Sequence, residues 1–182
     1  MAEQEPGTGG NGSGDLIGEA QVSVIAQYVK DLSVENPSAP AVFQWQVQPS
    51  LDVQFNIGVE GVSEELHEVT LKIDVSARSE NGVHFVLELA YGGLFGLRQV
   101  PEEALQPFLL IEAPRLLFPF ARQIISEAVS NTGFPPLMLD PIDFAGAYLQ
   151  QVQAAQAQAE GGQGGGETGG ASGGGEKAPS EA

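Results

Sequence analysis

The chain has 182 residues, enough for one domain with tails, and its 24 Asp and Glu against 7 Lys and Arg give a formal charge of −17. That excess of acid excludes the Lys and Arg footprint that phosphate neutralisation requires, so no nucleic acid is expected as a partner, and an anionic membrane surface is equally disfavoured. There is no cysteine, which excludes disulfides, thiolate catalysis and thiolate metal sites.

A basic protein partner would suit the charge, because complementary potentials speed encounter and fix register. No apolar run approaches the ~20 residues that span a bilayer, so direct membrane insertion is not expected. No signal peptide is visible, and the expected location is the cytoplasm.

Residues 1–18 and 159–182 read as Gly-rich tails with too few large apolar side chains to offset the entropy of ordering. They leave 19–158 as the domain. Gly7-Thr8-Gly9-Gly10-Asn11-Gly12 matches the GxGxxG dinucleotide fingerprint. That chemistry needs a strand before the glycines and a helix after them. Too little chain precedes Gly7 to build the strand, so the motif reads as linker.

The first half of the domain alternates with period two, the signature of half-buried strands. In the first strand Val22, Val24, Ala26, Tyr28, Leu32 and Val34 share a face that Lys30 interrupts; Ile25, Gln27, Val29, Asp31, Ser33 and Glu35 lie opposite. Asn36 to Ser50 holds Pro37, Pro40 and Pro49 and suits a long crossover rather than a tight turn. A second strand sets Val53, Phe55, Ile57 and Val59 against polar neighbours. The third sets Val69, Leu71, Ile73, Val75 and Ala77 inward. In the fourth, Val83, Phe85, Leu87 and Leu89 point inward, with His84, Val86 and Glu88 outward. Asn81-Gly82 is a two-residue hairpin signal, because both residue types accept positive φ.

After about Arg98 the period becomes helical. Pro101-Glu102-Glu103 has the composition of a helix start. From Pro114 to Asn131 the apolar positions Leu116, Leu117, Phe120, Ala121, Ile124, Ile125, Ala128 and Val129 sweep roughly 220°, where packing on one sheet needs only about 100°. Pro119 predicts a kink or a helix boundary. Gly133 suits the end of that helix, and Asp143 can cap a final one. These elements make a four-stranded antiparallel sheet with a long crossover after the first strand, followed by C-terminal helices: an α+β fold. The surplus apolar helix surface implies a dimer, or a dimer of dimers, with these helices between subunits.

The supply of catalytic groups is thin. His67 stands beside Glu64, Glu65 and Glu68, yet neighbouring strand residues point to opposite faces, so a solvated acidic turn is the expected reading and no metal site. His84 is expected as an exposed strand histidine. Asp31 and Glu35, four residues apart on a strand, lie about 13 Å apart, too far for an acid–base dyad. That spacing suits two contacts on a protein surface, or simply a solvated strand face. No nucleophile elbow or phosphate loop appears in the folded part. A small enzyme using carboxylates stays open as an alternative; it would need an enclosed pocket of titrating acids. Phe43 and Trp45 stand in the crossover, where aromatics beside an apolar sheet can form a groove for extended peptide.

Four stretches carry a family resemblance: Tyr28-Val-Lys-Asp-Leu-Ser-Val-Glu-Asn-Pro with Ala39-Pro-Ala-Val-Phe-Gln, Glu88-Leu-Ala-Tyr-Gly-Gly-Leu-Phe, Ile111-Glu-Ala-Pro-Arg-Leu-Leu-Phe-Pro-Phe-Ala-Arg, and Gly133-Phe-Pro-Pro-Leu-Met-Leu-Asp-Pro-Ile-Asp-Phe. In these the chain resembles SecB, the bacterial chaperone of protein export, over about Val22 to Gln151. The resemblance implies ATP-independent holding of unfolded secretory preproteins and delivery to SecA, the motor of the export channel. It implies a homotetramer, a dimer of dimers, with the long helices at its centre; Leu116, Phe120, Ile124, Ile125 and Ala128 are the interface positions expected here. For the client groove it points to Tyr28, Val34, Phe43 and Trp45.

SecB-like proteins dock a basic, zinc-bearing tail of SecA on an acidic sheet surface. The matching positions are Asp31, Glu35, Val86 and Glu88, with Val86 standing where a larger aliphatic residue is expected. The zinc belongs to the partner, so neither metal nor cofactor is expected in this chain. A SecB-like holding chaperone serving another system, such as a toxin–antitoxin pair, is the alternative within the resemblance.

Overall fold

The computed structural model describes residues 20–161. The tail readings for 1–18 and for 162–182, and the GxGxxG motif with them, lie outside the described residues. Contacts divide the chain into two units between Phe144 and Ala145.

The first unit is a sheet backed by a helix. Strand β1 runs Gln21–Glu35, β2 Ser50–Ser63, β3 Leu66–Ser79 and β4 Gly82–Arg98. All pairings are antiparallel, in the order β1-β4-β3-β2. The crossover from β1 to β2 therefore carries the chain from one sheet edge to the other. It passes the β3–β4 hairpin, where a 3₁₀ turn at Ala41–Gln44 buries Val42 and Trp45 lies against Gly82. The helical half opens with α1, Glu102–Pro107, continues through a π-turn at Phe108–Glu112 and reaches α2, Ala113–Asn131. Pro114 has no N–H to donate to the carbonyl of Leu110, and its ring crowds that carbonyl, which accounts for the widened turn just before it. A last helix, α3, runs Phe144–Gly161; Phe144 closes the first unit and the rest of α3 forms the second.

The core lies between α2 and the inner face of β3 and β4. Val69, Leu71, Ile73, Val75 and Ala77 of β3, and Phe85, Leu87, Leu89, Tyr91, Phe95 and Leu97 of β4, meet Ala113, Leu117, Phe118, Ala121, Ile125 and Val129. Gly93 lets helix and sheet come this close. A Cβ there would lie 2.6 Å from Leu117 Cδ2 and 2.8 Å from a ring carbon of Phe95.

The fold class is as the pattern predicts, and five local expectations need correction. First, the alternation is traced only as far as Leu89, whereas β4 continues to Arg98 through Gly92, Gly93 and Gly96, where missing side chains erase the period. Second, β1 does not alternate strictly. Register shifts between Val24 and Ala26 and between Val29 and Asp31 are β-bulges, and each swaps the faces of the residues beyond it. Val22 and Val24 share the inner face with Val29, Leu32 and Val34, since they pair with Leu97, Phe95, Tyr91, Leu89 and Leu87; Ala26 and Tyr28 move to the outer face opposite Leu94 and Gly92. Lys30, which broke the sequence pattern, is the residue at the second bulge. Third, the hairpin turn sits one residue early, on Glu80-Asn81, because Ser79 pairs with Gly82; only Gly82 takes positive φ, at 138°. Fourth, a bulge opposite Ala77 and Arg78 places Val83 on the Arg78 side of the sheet. It leaves His84 buried, its ring edge-on to Trp45 at 5.0 Å and its Nε2 2.9 Å from Ser79 Oγ. Fifth, α2 runs unbroken through Pro119; α2 ends at Asn131, with Gly133 at φ 91° beyond it.

The tight seat at Gly93 yields a test. Gly93→Ala is expected to cost about 1–3 kcal/mol by overpacking. Gly61→Ala, where nothing lies within 4 Å, is expected to stay within about 0.5 kcal/mol. Urea unfolding midpoints of the two variants check this.

Candidate functional site

The outer face of the sheet is polar and acidic. Register places Asp31, Ser33 and Glu35 of β1 beside Ala90, Glu88 and Val86 of β4, so Asp31, Glu35, Val86 and Glu88 come together on one side. The patch extends further than those positions. Asp74 of β3 stands opposite Glu88, and Asp52 of β2 stands opposite Ser76, which itself faces Val86. The clean alternation of β3 could have put Asp74 on the outer face, but its place opposite Glu88 depends on the shifted turn and on the bulge beyond it. Asp52 could not have been found without the register of β2.

One group of three lies at the edge of this patch. Tyr28 Oη donates to Glu68 Oε1, and Lys30 Nζ donates to Glu68 Oε2 at 2.6 Å. Both β1 side chains reach over β4 to a carboxylate on β3, which Gly92 permits: a Cβ there would lie 2.9 Å from the Tyr28 ring and 3.3 Å from Lys30 carbons. This arrangement removes Tyr28 from the expected client groove. The bulge turns it outward, away from the inner-facing Val34. Of the acids near His67, Glu68 is engaged here and Glu65 pairs with Arg98 at 2.9 Å. Among the described residues no group of three or more His, Asp and Glu could hold a metal ion.

The inner face carries uncovered apolar surface. Val22, Val24, Val29 and Leu32 on β1, and Leu51, Val53, Phe55 and Val59 on β2, stay exposed on either side of the covered centre. On α2, Leu116 and Phe120 are 45% and 49% exposed, and Ile124 and Ala128 are half-buried. These four follow at i, i+4 spacing along one side of the helix. Ile125 departs from the expected interface set: it is fully buried in the chain's own core and offers no surface to another subunit. A cavity of about 330 Å³ opens between β1 and α2, lined by Leu32, Val34, Ile124, Ala128 and Thr132 among others.

At the end of α2 the crossover contributes an aromatic cluster. Phe43, 54% exposed, packs on Phe134 at 5.7 Å; Phe134 also meets Phe85 at 5.3 Å and His84 at 6.0 Å. Trp45 covers His84. Phe43 and Trp45 are thus brought together, and Asn36 Nδ2, donating to the Thr132 carbonyl at 3.3 Å, ties the crossover to the end of α2 close to the cavity that Val34 lines. No helix among the described residues is long and apolar enough to cross a membrane.

The shared Glu68 carboxyl lies below its ordinary value of 4.5, first through the Lys30 hydrogen bond and then through that of Tyr28. The Tyr28 phenol is pushed above 10.0, chiefly by bonding to Glu68. A carboxylate lowered in the folded state contributes stability that is complete above its unfolded value and lost as pH falls through the folded one. The phenol's contribution is complete below 10.0 and lost as pH rises past it. Wild-type protein is therefore expected to exceed Glu68→Gln in stability near neutral pH, with the gap closing below pH 4.5. Thermal unfolding of both across the acid range measures it.

Comparison with known proteins points the same way. Residues 18–155 match the family model for SecB, preprotein translocase subunit SecB. The protein-export protein SecB of Sphingopyxis alaskensis is 59% identical over 140 residues, 77% of this chain and 81% of that one. That of Zymomonas mobilis is 58% identical over 133 residues, 73% of this chain and 81% of its own. Among solved structures, the SecB-like chaperone of Mycobacterium tuberculosis, in complex with a ChAD peptide from an antitoxin, superposes with a TM-score of 0.55 at 15% identity, covering 66% of this chain and 90% of that one. That likeness concerns the fold.

Proposed function

The chain belongs to the SecB family of protein-export chaperones, and from that premise we propose that it holds secretory preproteins unfolded in the cytoplasm and delivers them to SecA. One observation carries the reading. The sheet presents two unlike surfaces on opposite sides, open apolar strips within and clustered carboxylates without, so two kinds of partner can be held at once without competing.

Non-native chains expose apolar segments that folded proteins hide. Val34, Phe43 and Trp45, with the cavity between β1 and α2, offer such segments a place to bury apolar area at ~25 cal/mol per Å². Each contact is weak and tolerant of sequence. Several on one assembly give avidity for a long chain, and no nucleotide is needed. The assembly is a homotetramer, a dimer of dimers, in which Leu116, Phe120, Ile124 and Ala128 meet a partner subunit. The acidic face at Asp31, Glu35, Val86 and Glu88 receives the basic, zinc-bearing tail of SecA. The zinc comes with the tail.

A related chaperone of a toxin–antitoxin system is the competing reading, since the Mycobacterium tuberculosis neighbour holds an antitoxin peptide. Identity of 59% to an export protein, against 15% to that neighbour, favours export.

Light scattering after size exclusion tests the holding reading. The protein is expected to run as a tetramer and to gain mass with a denatured secretory precursor but not with the folded one. A monomer that ignores the precursor would overturn the reading. Phe120→Asp is expected to break the tetramer into smaller species, because a carboxylate would lose its water at the interface. The double reversal Asp31→Lys/Glu35→Lys is expected to weaken SecA binding about 10–100-fold at low salt, with the difference narrowing as salt rises and precursor binding unchanged. Unchanged SecA affinity would remove the docking assignment.

A further inference from the structure

The face on which Asp31 and Glu35 stand is decided by one extra residue. From Ala26 to Val29 the strand runs in a single register, with Tyr28 opposite Gly92 and Val29 opposite Tyr91. Continued without interruption, that register would set Asp31 against Leu89 and Glu35 against Phe85, both on the inner, apolar face. The bulge at Lys30 moves Asp31 to Ala90 and Glu35 to Val86 instead. A bulge leaves a ladder position unpaired and is held in place by its surroundings. Among the described residues β4 is the one strand that pairs with β1.

A second attachment exists at this point. Lys30 at the bulge and Tyr28 two residues before it bypass β4 and bond the two oxygens of Glu68 on β3. The Glu68 side chain is 12% exposed and sits between them; Lys30 remains 39% exposed. Lys30, Asp31 and Glu68 border one depression of about 430 Å³ on the outer face, with Gly58, Thr70 and Ala90 in its lining. An exposed ion pair of this kind is worth only about 0–1 kcal/mol to global stability. Its weight lies in where it is placed: it joins the bulge to the strand beyond β4.

We propose that Tyr28, Lys30 and Glu68 are positioning residues for the acidic docking face, tethering the bulged turn of β1 across Gly92 so that Asp31 and Glu35 stay outward in the register a basic partner meets. The proposal rests on the reading of that face as the SecA docking surface. It also makes a prediction opposite in sign to simple electrostatics. Lys30 is a cation beside an acidic surface, and deleting its charge should by charge alone tighten binding of a basic tail. If its tether sets the register, deleting it loosens the binding.

The test uses the full chain and purified SecA, with affinity measured for wild type, Lys30→Met, Lys30→Arg, Tyr28→Phe and Asp31→Lys. Precursor holding is followed in parallel as the check that each variant is folded. The expected result is an affinity about fivefold lower for Lys30→Met, a smaller loss in the same direction for Tyr28→Phe, and recovery in Lys30→Arg, with faster amide exchange over residues 29–33 in the weakened variants. Wild-type or tighter binding by Lys30→Met and Tyr28→Phe, while Asp31→Lys still weakens it, would overturn the positioning role and leave the docking face standing. No change in any variant, Asp31→Lys included, would remove the docking reading and this proposal with it.

Discussion

One helix cannot cover four strands. An α-helix with its side chains is about 10 Å across, and strands in a sheet are spaced about 4.8 Å apart. Helix α2 therefore shields β3 and β4 and leaves much of the inner faces of β1 and β2 in the open, although β1 sets Val and Leu there and β2 sets Leu, Val and Phe. Apolar surface in contiguous strips of this kind marks interaction sites in soluble proteins. The chain gains its core from two strands and keeps the rest of its apolar material for other molecules.

The opposite side of the sheet is organised by charge. Most of its carboxylates stand on neighbouring strands within one or two ladder positions of each other, an arrangement that like-charge repulsion makes unfavourable in a free sheet. Lys30 relieves part of that repulsion at Glu68, and Lys72 stands in the ladder row of Asp31, across Ala90. A basic partner would relieve the rest by binding. The two bulges of β1 keep the chemistries apart, because a strand with strict alternation would mix Tyr28 and Ala26 with the valines inside and put a valine among the acids outside.

The sheet, its hairpin, the crossover and the helical half were legible from hydrophobic period and turn residues, because β3 carries a clean alternation and α2 an apolar sweep too wide for one sheet. What escaped did so for physical reasons. A bulge is a property of the pairing between two strands, and nothing within Gln21–Glu35 announces it except the misplaced Lys30. The second half of β4 was hidden because Gly92, Gly93 and Gly96 give no period, yet those glycines are where neighbouring side chains cross the strand or the helix sits down. His84 looked exposed because its burial comes from Trp45, far earlier in the chain, across a loop whose path composition does not specify. Among the candidate site residues, Asp31, Glu35, Val86 and Glu88 came from family resemblance and are gathered on one face, whereas Tyr28 and Ile125 were assigned to surfaces that their neighbours in space exclude.

Strand order also sets a timetable. The first strand makes pairs only with the last: Ser23 bonds Gly96 across 73 positions of chain. At synthesis rates of about 5–20 residues per second, β1 waits roughly 4–15 s for its partner, and α2 arrives later still. Through that interval an apolar strand of the molecule waits unpaired on the ribosome, and contacts this distant in sequence form slowly. A protein equipped to shelter unfinished chains thus passes through the same exposed condition each time it is made.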